Sequence, residues 1–397
     1  MKKIISAVLA AVLVISAAAC SGNPAEGENN AQTTAVTEQE ENVIDKGEMR
    51  GITAKELVSE MKIGWNLGNT LDANGSKNLS SETSWGNPRT TKEMIDAVAA
   101  AGFNTIRIPT TWYNHIDDEE SYTINEEWFK RVEEVVGYAL ANDMYVILNM
   151  HHEDSWLIPD EEHIEGVKAQ FEAMWKQIAA YFADYGDHLL FEGMNEPRVV
   201  GGKFEWTGGT PEGRSCINTL NQLFVDTVRA SGGNNAKRAL LITTFAAQVT
   251  NDSFDGFAIP EDDNLIVSLH AYTPYRFTYD SKGESWNALV FDEGVERDIK
   301  QTFTTINTFL GESGIPVIIT ECGACVKKDE DGVKNIGEVA KWINAYVSIA
   351  KENGIPCVFW DNGYFYSGNE LFGLFDRTTL TWFAPEIIES AMKALEE

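Results

Sequence analysis

The chain is short of basic residues: 31 Lys and Arg stand against 61 Asp and Glu in 397 residues, a formal charge of −30. A nucleic-acid partner requires a basic face that releases phosphate counterions, and this composition does not supply one. Long apolar runs are missing too. The N-terminal run from Ile4 to Ile15 falls well short of the roughly 20 residues that span a bilayer. Cysteine is sparse, and the spacing of Cys20, Cys216, Cys322, Cys325 and Cys357 gives no disulfide framework of the kind small secreted domains need. Cys322 and Cys325 have the C-x-x-C spacing of zinc and redox sites, but a second pair is absent and the motif does not open a helix early in a βαβ unit. They read as packing cysteines. No Gly-x-Ser-x-Gly elbow and no phosphate-binding loop occurs, so serine-hydrolase and nucleotide chemistry lack their motifs. The six histidines include no His-x-His on the first strand, the usual mark of a metal-dependent hydrolase barrel. Adjacent His151 and His152, leaving a strand end in opposite directions, make a poor chelate. Neither a metal nor a cofactor is expected.

What is present divides the chain into three. Lys2 and Lys3, the apolar run and Ser16-Ala17-Ala18-Ala19-Cys20 read as an export signal over residues 1–20. Small residues before a cysteine are similar to a bacterial lipoprotein signal, in which Cys20 becomes the lipidated first residue and tethers the protein to a membrane; plain secretion is the alternative. Residues 21–50 read as a disordered acidic linker. Seven acids stand against one lysine between 21 and 48, with no aromatic residue, so too little apolar surface is available to offset the ordering entropy. From residue 51 to 397 the composition is uniform, which predicts one domain, expected to act as a monomer.

Within that domain eight apolar runs alternate with helical patterns: 61–65, 105–109, 145–150, 189–194, 239–243, 265–269, 316–320 and 356–360. Several are continuously apolar, as expected of strands buried on both faces of a parallel sheet. Helical periodicity covers 91–101, 128–142, 164–185, 215–231, 295–311 and 333–353. The fold class is therefore α/β, a single (β/α)8 barrel, with a doubly wound open sheet as the alternative.

Nearly every strand candidate ends in polar or aromatic residues. They include Trp65-Asn66, Arg107, Asn149 through Glu153, Asn195-Glu196, His270-Ala271-Tyr272, Glu321 and Trp360-Asp361-Asn362. In a barrel these gather at the C-terminal rim, where such enzymes build their sites. Glu196 and Glu321 stand out. Two carboxyls held about 5 Å apart cannot both ionise freely, so one serves as an acid while the other stays a nucleophile, the arrangement for retaining glycoside cleavage. Trp65, Trp156, Trp206 and Trp360, at strand ends or in loops, are candidate platforms for pyranose rings. Asn66, His152 and Asn362 beside them are candidate hydroxyl partners.

At these residues the chain resembles glycoside hydrolase family 5, retaining (β/α)8 cellulases and related β-glycanases. The matching motifs are Gly64 to Asp72, Trp85-Gly86-Asn87-Pro88, Ile106 to Pro109, Asn149 to Glu153, Asn195-Glu196-Pro197-Arg198, His270-Ala271-Tyr272 and Trp360 to Gly363. They run in order across nearly all of the domain, most like bacterial endoglucanases that often accept xyloglucan or mixed-linkage glucan. The resemblance implies Glu196 as general acid/base and Glu321 as nucleophile. It implies Asn195 as the residue bonding the sugar 2-hydroxyl, and Arg107 and Tyr272 as those that hold the nucleophile ionised and oriented. His151 and His270 match substrate or acid/base contacts, and Trp360 the platform at the cleaved sugar. One departure is local: Thr320-Glu321-Cys322-Gly323 stands where the family usually has Gly-Glu-Phe-Gly. The implied partner is a β-glucan cleaved by an endo-β-1,4-glucanase. A mannanase or xylanase of the same family is one alternative, and a surface lipoprotein that only captures glucan is the other.

Overall fold

The computed structural model describes residues 44–279, 288–366 and 370–397. The export signal, Cys20 and the linker up to residue 43 lie outside the described residues.

Eight parallel strands close into a barrel: β1 (Ile63–Asn66), β2 (Thr105–Ile108), β3 (Tyr145–Asn149), β4 (Leu189–Glu192), β5 (Leu240–Gln248), β6 (Leu265–His270), β7 (Val317–Cys322) and β8 (Cys357–Phe359). Each strand pairs with its sequence neighbours, and β8 returns to β1 through Cys357 opposite Ile63. The helices are α1 (Lys92–Ala100), α2 (Glu126–Leu140), α3 (Ile164–Tyr181), α4 (Pro211–Ala230), α5 (Asn251–Phe254), α6 (Glu293–Leu310), α7 (Ile336–Glu352) and α8 (Pro385–Glu396). The closed order realises the barrel and excludes the open sheet. Four α-helices among the described residues went unpredicted: two single turns, α5 and Tyr275–Thr278, a short helix ahead of β1, Ala54–Glu60, and α8. The last lies beyond the final predicted strand, where Pro385 opens an amphipathic segment burying Ile387, Ile388, Ala391 and Ala394.

Two apolar cores result from the alternation of side chains along each strand. The larger lies between the strands and the surrounding helices. The smaller fills the lower barrel with Ile147, Leu190, Leu241, Ile266, Ile318 and Val358, closed from below by Leu57, Val58 and Met61. Leu57 and Val58 belong to a helix, Ala54–Glu60, that precedes β1 and has its N-terminus closed by a capping box between Thr53 and Glu56.

The domain begins earlier than the sequence implied. Residues 44–50, assigned to the linker, lie on the barrel. Lys46 and Glu48 carbonyls accept from the Gly186 and Asp187 amides at 2.7 and 3.0 Å. Arg50 Nε donates to Asp187 Oδ2 at 2.7 Å. Polar composition hid this because, apart from Ile44 packing on the apolar core, the attachment is made by backbone groups and charge. A Cβ at Gly186 would sit 2.5 Å from the Glu48 carbonyl oxygen, so only glycine admits the segment.

Leu57, 2% exposed, plugs the barrel floor. Leu57→Ala is expected to cost about 2–5 kcal/mol through lost burial and a residual void. Urea unfolding should show a lower midpoint, while the folded fraction retains wild-type activity.

Candidate active site

Above the apolar floor, the barrel interior turns polar, and one guanidinium organises it. Arg107 on β2 is fully buried. Its Nε donates to Glu192 Oε2 at 2.7 Å, Nη1 to Glu321 Oε1 at 2.6 Å and to Asn66 Oδ1 at 3.0 Å, and Nη2 to Asn195 Oδ1 at 2.8 Å. Burial opposes the charge, but the Glu192 and Glu321 carboxylates outweigh it and hold the pKa above its ordinary value. Glu192, at the end of β4, also accepts from Asn149 Nδ2 at 2.9 Å and from Ser268 Oγ at 2.5 Å.

Glu321, near the end of β7, has both oxygens fixed. Tyr272 Oη donates to Oε2 at 2.9 Å, and burial together with that carboxylate pushes the phenol well above 10, so it remains a donor. Glu196, just past β4, has Oε1 at 2.9 Å from His270 Nδ1, and the same nitrogen lies 3.6 Å from Glu321 Oε2. Ligand-type atoms of Glu196, His270 and Glu321 all fall within 4.8 Å of one another. Burial pushes Glu196 up, yet the bond to His270 and the charges of His270, Arg198 and His152 outweigh it and hold the carboxyl below its usual range. For His270, burial pushes down and the two glutamates push further up, so the imidazole is raised. Glu196 and His270 therefore form one proton-sharing unit between two carboxylates.

His151 has a defined tautomer. Thr110 N donates to Asn149 Oδ1, which fixes the amide, so Asn149 Nδ2 donates to His151 Nδ1 at 3.1 Å and the proton sits on Nε2. That Nε2 lies 4.0 Å from Glu321 Oε1. Burial, His152 and Arg107 keep the ring neutral. Trp360 lies parallel to it, centroids 5.7 Å apart and 3° between planes. Gly68 makes this possible, since a Cβ there would lie 2.7 Å from the indole.

The candidate substrate contacts divide. The charge of His152 reaches Glu196 and Glu321, and Trp360 stacks on His151, while Trp206 is 52% exposed on the loop after β4. Trp156 is half-buried, its Nε1 donating to Glu153 at 2.6 Å. Three assignments are corrected. Trp65 is 0% exposed, with Nε1 bonded to Asp361 Oδ2 at 2.8 Å and its ring edge-on to Phe375, so it is core. Asn66 is buried, its Nδ2 donating to the Thr320 carbonyl and its Oδ1 taken by Arg107. Asn362 turns its amide to the Glu370 carbonyl and the Tyr364 amide, which shapes the loop after β8. His151 and His152 do not diverge as expected. Strand geometry ends at Asn149, and their rings meet edge-on at 4.5 Å beside Asp72. Cys322 and Cys325 are both fully buried, in keeping with packing.

Sequence reasoning missed Glu192, Ser268, Asp154, Arg198 and Glu370. Glu192 carried a signal, an acid closing an otherwise apolar strand opposite a buried arginine. Glu370 carried none: it lies eleven residues beyond the end of β8, yet burial and the charges of Glu196 and Glu321 raise its pKa.

The model of the family described as cellulase (glycosyl hydrolase family 5) matches residues 71–366. Endoglucanase A of Ruminococcus albus is 52% identical over 348 residues, covering 87% of this chain and 94% of that one. A broad-specificity endoglucanase from Ruminococcus champanellensis, solved with bound cellotriose, superposes with a TM-score of 0.82 at 45% identity over 87% of this chain and all of its own. A xyloglucan-specific endo-β-1,4-glucanase from a metagenomic library gives 0.80 at 43% identity, over 85% of this chain and 98% of that one. With the family model spanning most of the domain and the barrel rim carrying the paired glutamates, the chain belongs to glycosyl hydrolase family 5.

Proposed function

We propose that the chain is a retaining endo-β-1,4-glucanase acting on cell-wall β-glucans, with Glu196 as acid/base and Glu321 as nucleophile. The observation that carries this reading is the carboxylate oxygens lying within 4.8 Å. Retaining enzymes hold their carboxyls about 5–5.5 Å apart, whereas inverting ones leave 6.5–9.5 Å for a water. Relatives named as endoglucanases, and structures holding cellotriose, support the glucan backbone as substrate.

In the first step Glu321 attacks the anomeric carbon as the glycosidic bond breaks, and the proton of the Glu196–His270 unit passes through Glu196 to the leaving oxygen. Arg107 and Tyr272 keep the attacking carboxylate ionised and aimed. Esterification then removes the Glu321 charge, which had favoured a proton on His270. With that charge gone the unit releases its proton more readily, and Glu196 acts as base toward the incoming water. Asn195, held by Arg107, and His151, with Nε2–H toward Glu321, are placed to bond the sugar beside the nucleophile.

Export rests on residues 1–20. We read Cys20 as the lipid anchor of a monomeric cell-surface enzyme, so Cys20→Ser should move activity from the membrane fraction to the soluble one.

Glu321→Gln and Glu196→Gln should each lower kcat/KM on barley β-glucan by about 10²–10⁴-fold or more without a change in fold by circular dichroism. Wild-type activity in either variant sinks the assignment. A parallel panel of xyloglucan, carboxymethyl cellulose, xylan and mannan reads the specificity, and preference for xylan or mannan would replace the glucanase reading. The pH profile follows from the shared proton. Because His270 is raised, the last proton of the unit leaves above the ordinary histidine value of about 6.5, so the alkaline limb of kcat/KM lies above that pH. His270→Asn leaves the proton to a carboxyl alone, and the limb should move to lower pH.

A further inference from the structure

Between β4 and α4 the chain passes through a loop, residues 199–209, that leaves Val200, Phe204 and Trp206 exposed at 56, 43 and 52%. This is an apolar group immediately after the acid/base residue, and it is held in place. Gly208 and Gly209 have φ of +87° and +69°, and a Cβ at either would lie within 2.6 Å of Asp252 or Phe245. Gly208 N donates to Gln248 Oε1 at 2.9 Å, and Arg214 Nη1 donates to the Gly208 and Gly209 carbonyls. β5 reaches far enough to supply Gln248 because it bulges at Ala246 and Ala247, both in the left-handed region.

One side chain joins this loop to Glu196. The Arg198 guanidinium lies 4.8 Å from the Trp206 ring. Its Nε donates to Glu205 Oε1 at 3.1 Å, and Glu205 Oε2 accepts from Gly201 N at 2.8 Å, closing the loop. Its Nη1 donates to Asp154 Oδ1 at 3.0 Å and to the Glu196 carbonyl at 2.9 Å, and lies 3.9 Å from Glu196 Oε2. Asp154 in turn lies 3.9 Å from His152 Nδ1. An exposed ion pair contributes little, but the Arg198 side chain is only 15% exposed and shared among three acids and an aromatic face. None of its contacts is to Glu321. The platform therefore stands on the acid/base side of the cleaved bond, where the leaving group must lie.

We propose that Arg198 is a positioning residue that sets Trp206, as the platform for the leaving-group sugar, in register with Glu196, so that binding the departing chain and delivering its proton are coupled. The proposal rests on the assignment of Glu196 as acid/base. It predicts two separable effects. Loss of the guanidinium frees Trp206, which weakens only substrates with a sugar on that side. It also removes a cation from beside the Glu196 carboxyl, which raises the proton affinity of the Glu196–His270 unit. The other groups facing Glu196 are His270, His152, Glu321 and Glu370, with the neutral phenols of Tyr272 and Tyr279, and all stay in place.

The test compares Arg198→Met and Arg198→Lys with wild type on cellotetraose and on 2,4-dinitrophenyl β-cellobioside, whose leaving group needs neither a proton nor a sugar site. Arg198→Met is expected to lose about 30-fold or more in kcat/KM on cellotetraose and less than about 3-fold on the aryl cellobioside. Its alkaline limb on cellotetraose should shift to higher pH. Arg198→Lys should restore the limb and recover only part of the loss, because an ammonium replaces the charge but not the planar stacking surface. Should Arg198→Met fail to fold, Arg198→Lys carries the test through the same split. Equal losses on both substrates, or an unmoved limb, overturn the proposal. Glu196→Gln in the same assay separates the two readings: if it too loses equally on both substrates, the acid/base assignment fails, whatever Arg198 does.

Discussion

The buried Arg107 guanidinium is the interaction on which the site depends. It bonds to groups from β1, the end of β4, the turn after β4 and β7, so four parts of the barrel are located by one side chain. A charge in this position is tolerated only because two carboxylates and two amide oxygens surround it, and removing one partner of such a buried pair costs about 3–5 kcal/mol. Glu192 is as necessary as Glu321 in that balance. With Glu192 accepting from Arg107, Asn149 and Ser268, and Ser268 Oγ 2.6 Å from Thr320 Oγ1, the upper barrel is a continuous hydrogen-bonded layer in place of an apolar one. That layer has little freedom to rearrange. Glu321 is therefore held before any substrate arrives, which is the condition for electrostatic stabilisation without reorganisation.

The same layer explains the protonation states. Arg107 and Tyr272 occupy the oxygens of Glu321, while Glu196 Oε1 meets His270 and its Oε2 lies 3.9 Å from Arg198. Two carboxylates of similar chemistry are thus given unequal surroundings. One is held by fixed donors that do not titrate near neutrality, and the other shares a proton with an imidazole. In the proposed mechanism, covalent chemistry at the first changes the field on the second, so the order of steps follows from the placement of charges.

Much of this was legible in the sequence, for a reason that particular residues make clear. All eight strands were visible because buried parallel strands are continuously apolar, as in Val317-Ile318-Ile319 of β7. The rim was visible because polar residues closed those runs. Direction was not. Trp65 and Asn66 sit at a strand end with His151 and Trp360, yet Trp65 turns outward to Asp361 and Asn66 turns inward to Arg107. Position along a strand locates the rim, whereas the pleat and the first loop residue decide which side chain meets solvent. Glu370, Asp154 and Arg198 lie on loops whose paths are set by tertiary contacts, and no periodicity reports those. α5 escaped because a single turn carries no period.

The departure from the family pattern at Cys322 shows where this chain tolerates change. Glu321 and Cys322 are consecutive on β7, so their side chains point to opposite faces of the sheet. Glu321 enters the polar layer. Cys322 faces the helix side, fully buried, with Sγ 3.8 Å from the Val358 carbonyl and its thiol pushed well up by burial, Cys357 and neighbouring charge. The residue that differs therefore packs against β8 and α7, out of reach of the carboxylate oxygens that Arg107 and Tyr272 hold. A smaller side chain behind the strand is absorbed by the Cys357 and Tyr346 packing around it. Glu321 is fixed by ladder pairing and by its own two donors, and the identity of the residue that follows it bears on the outer core alone.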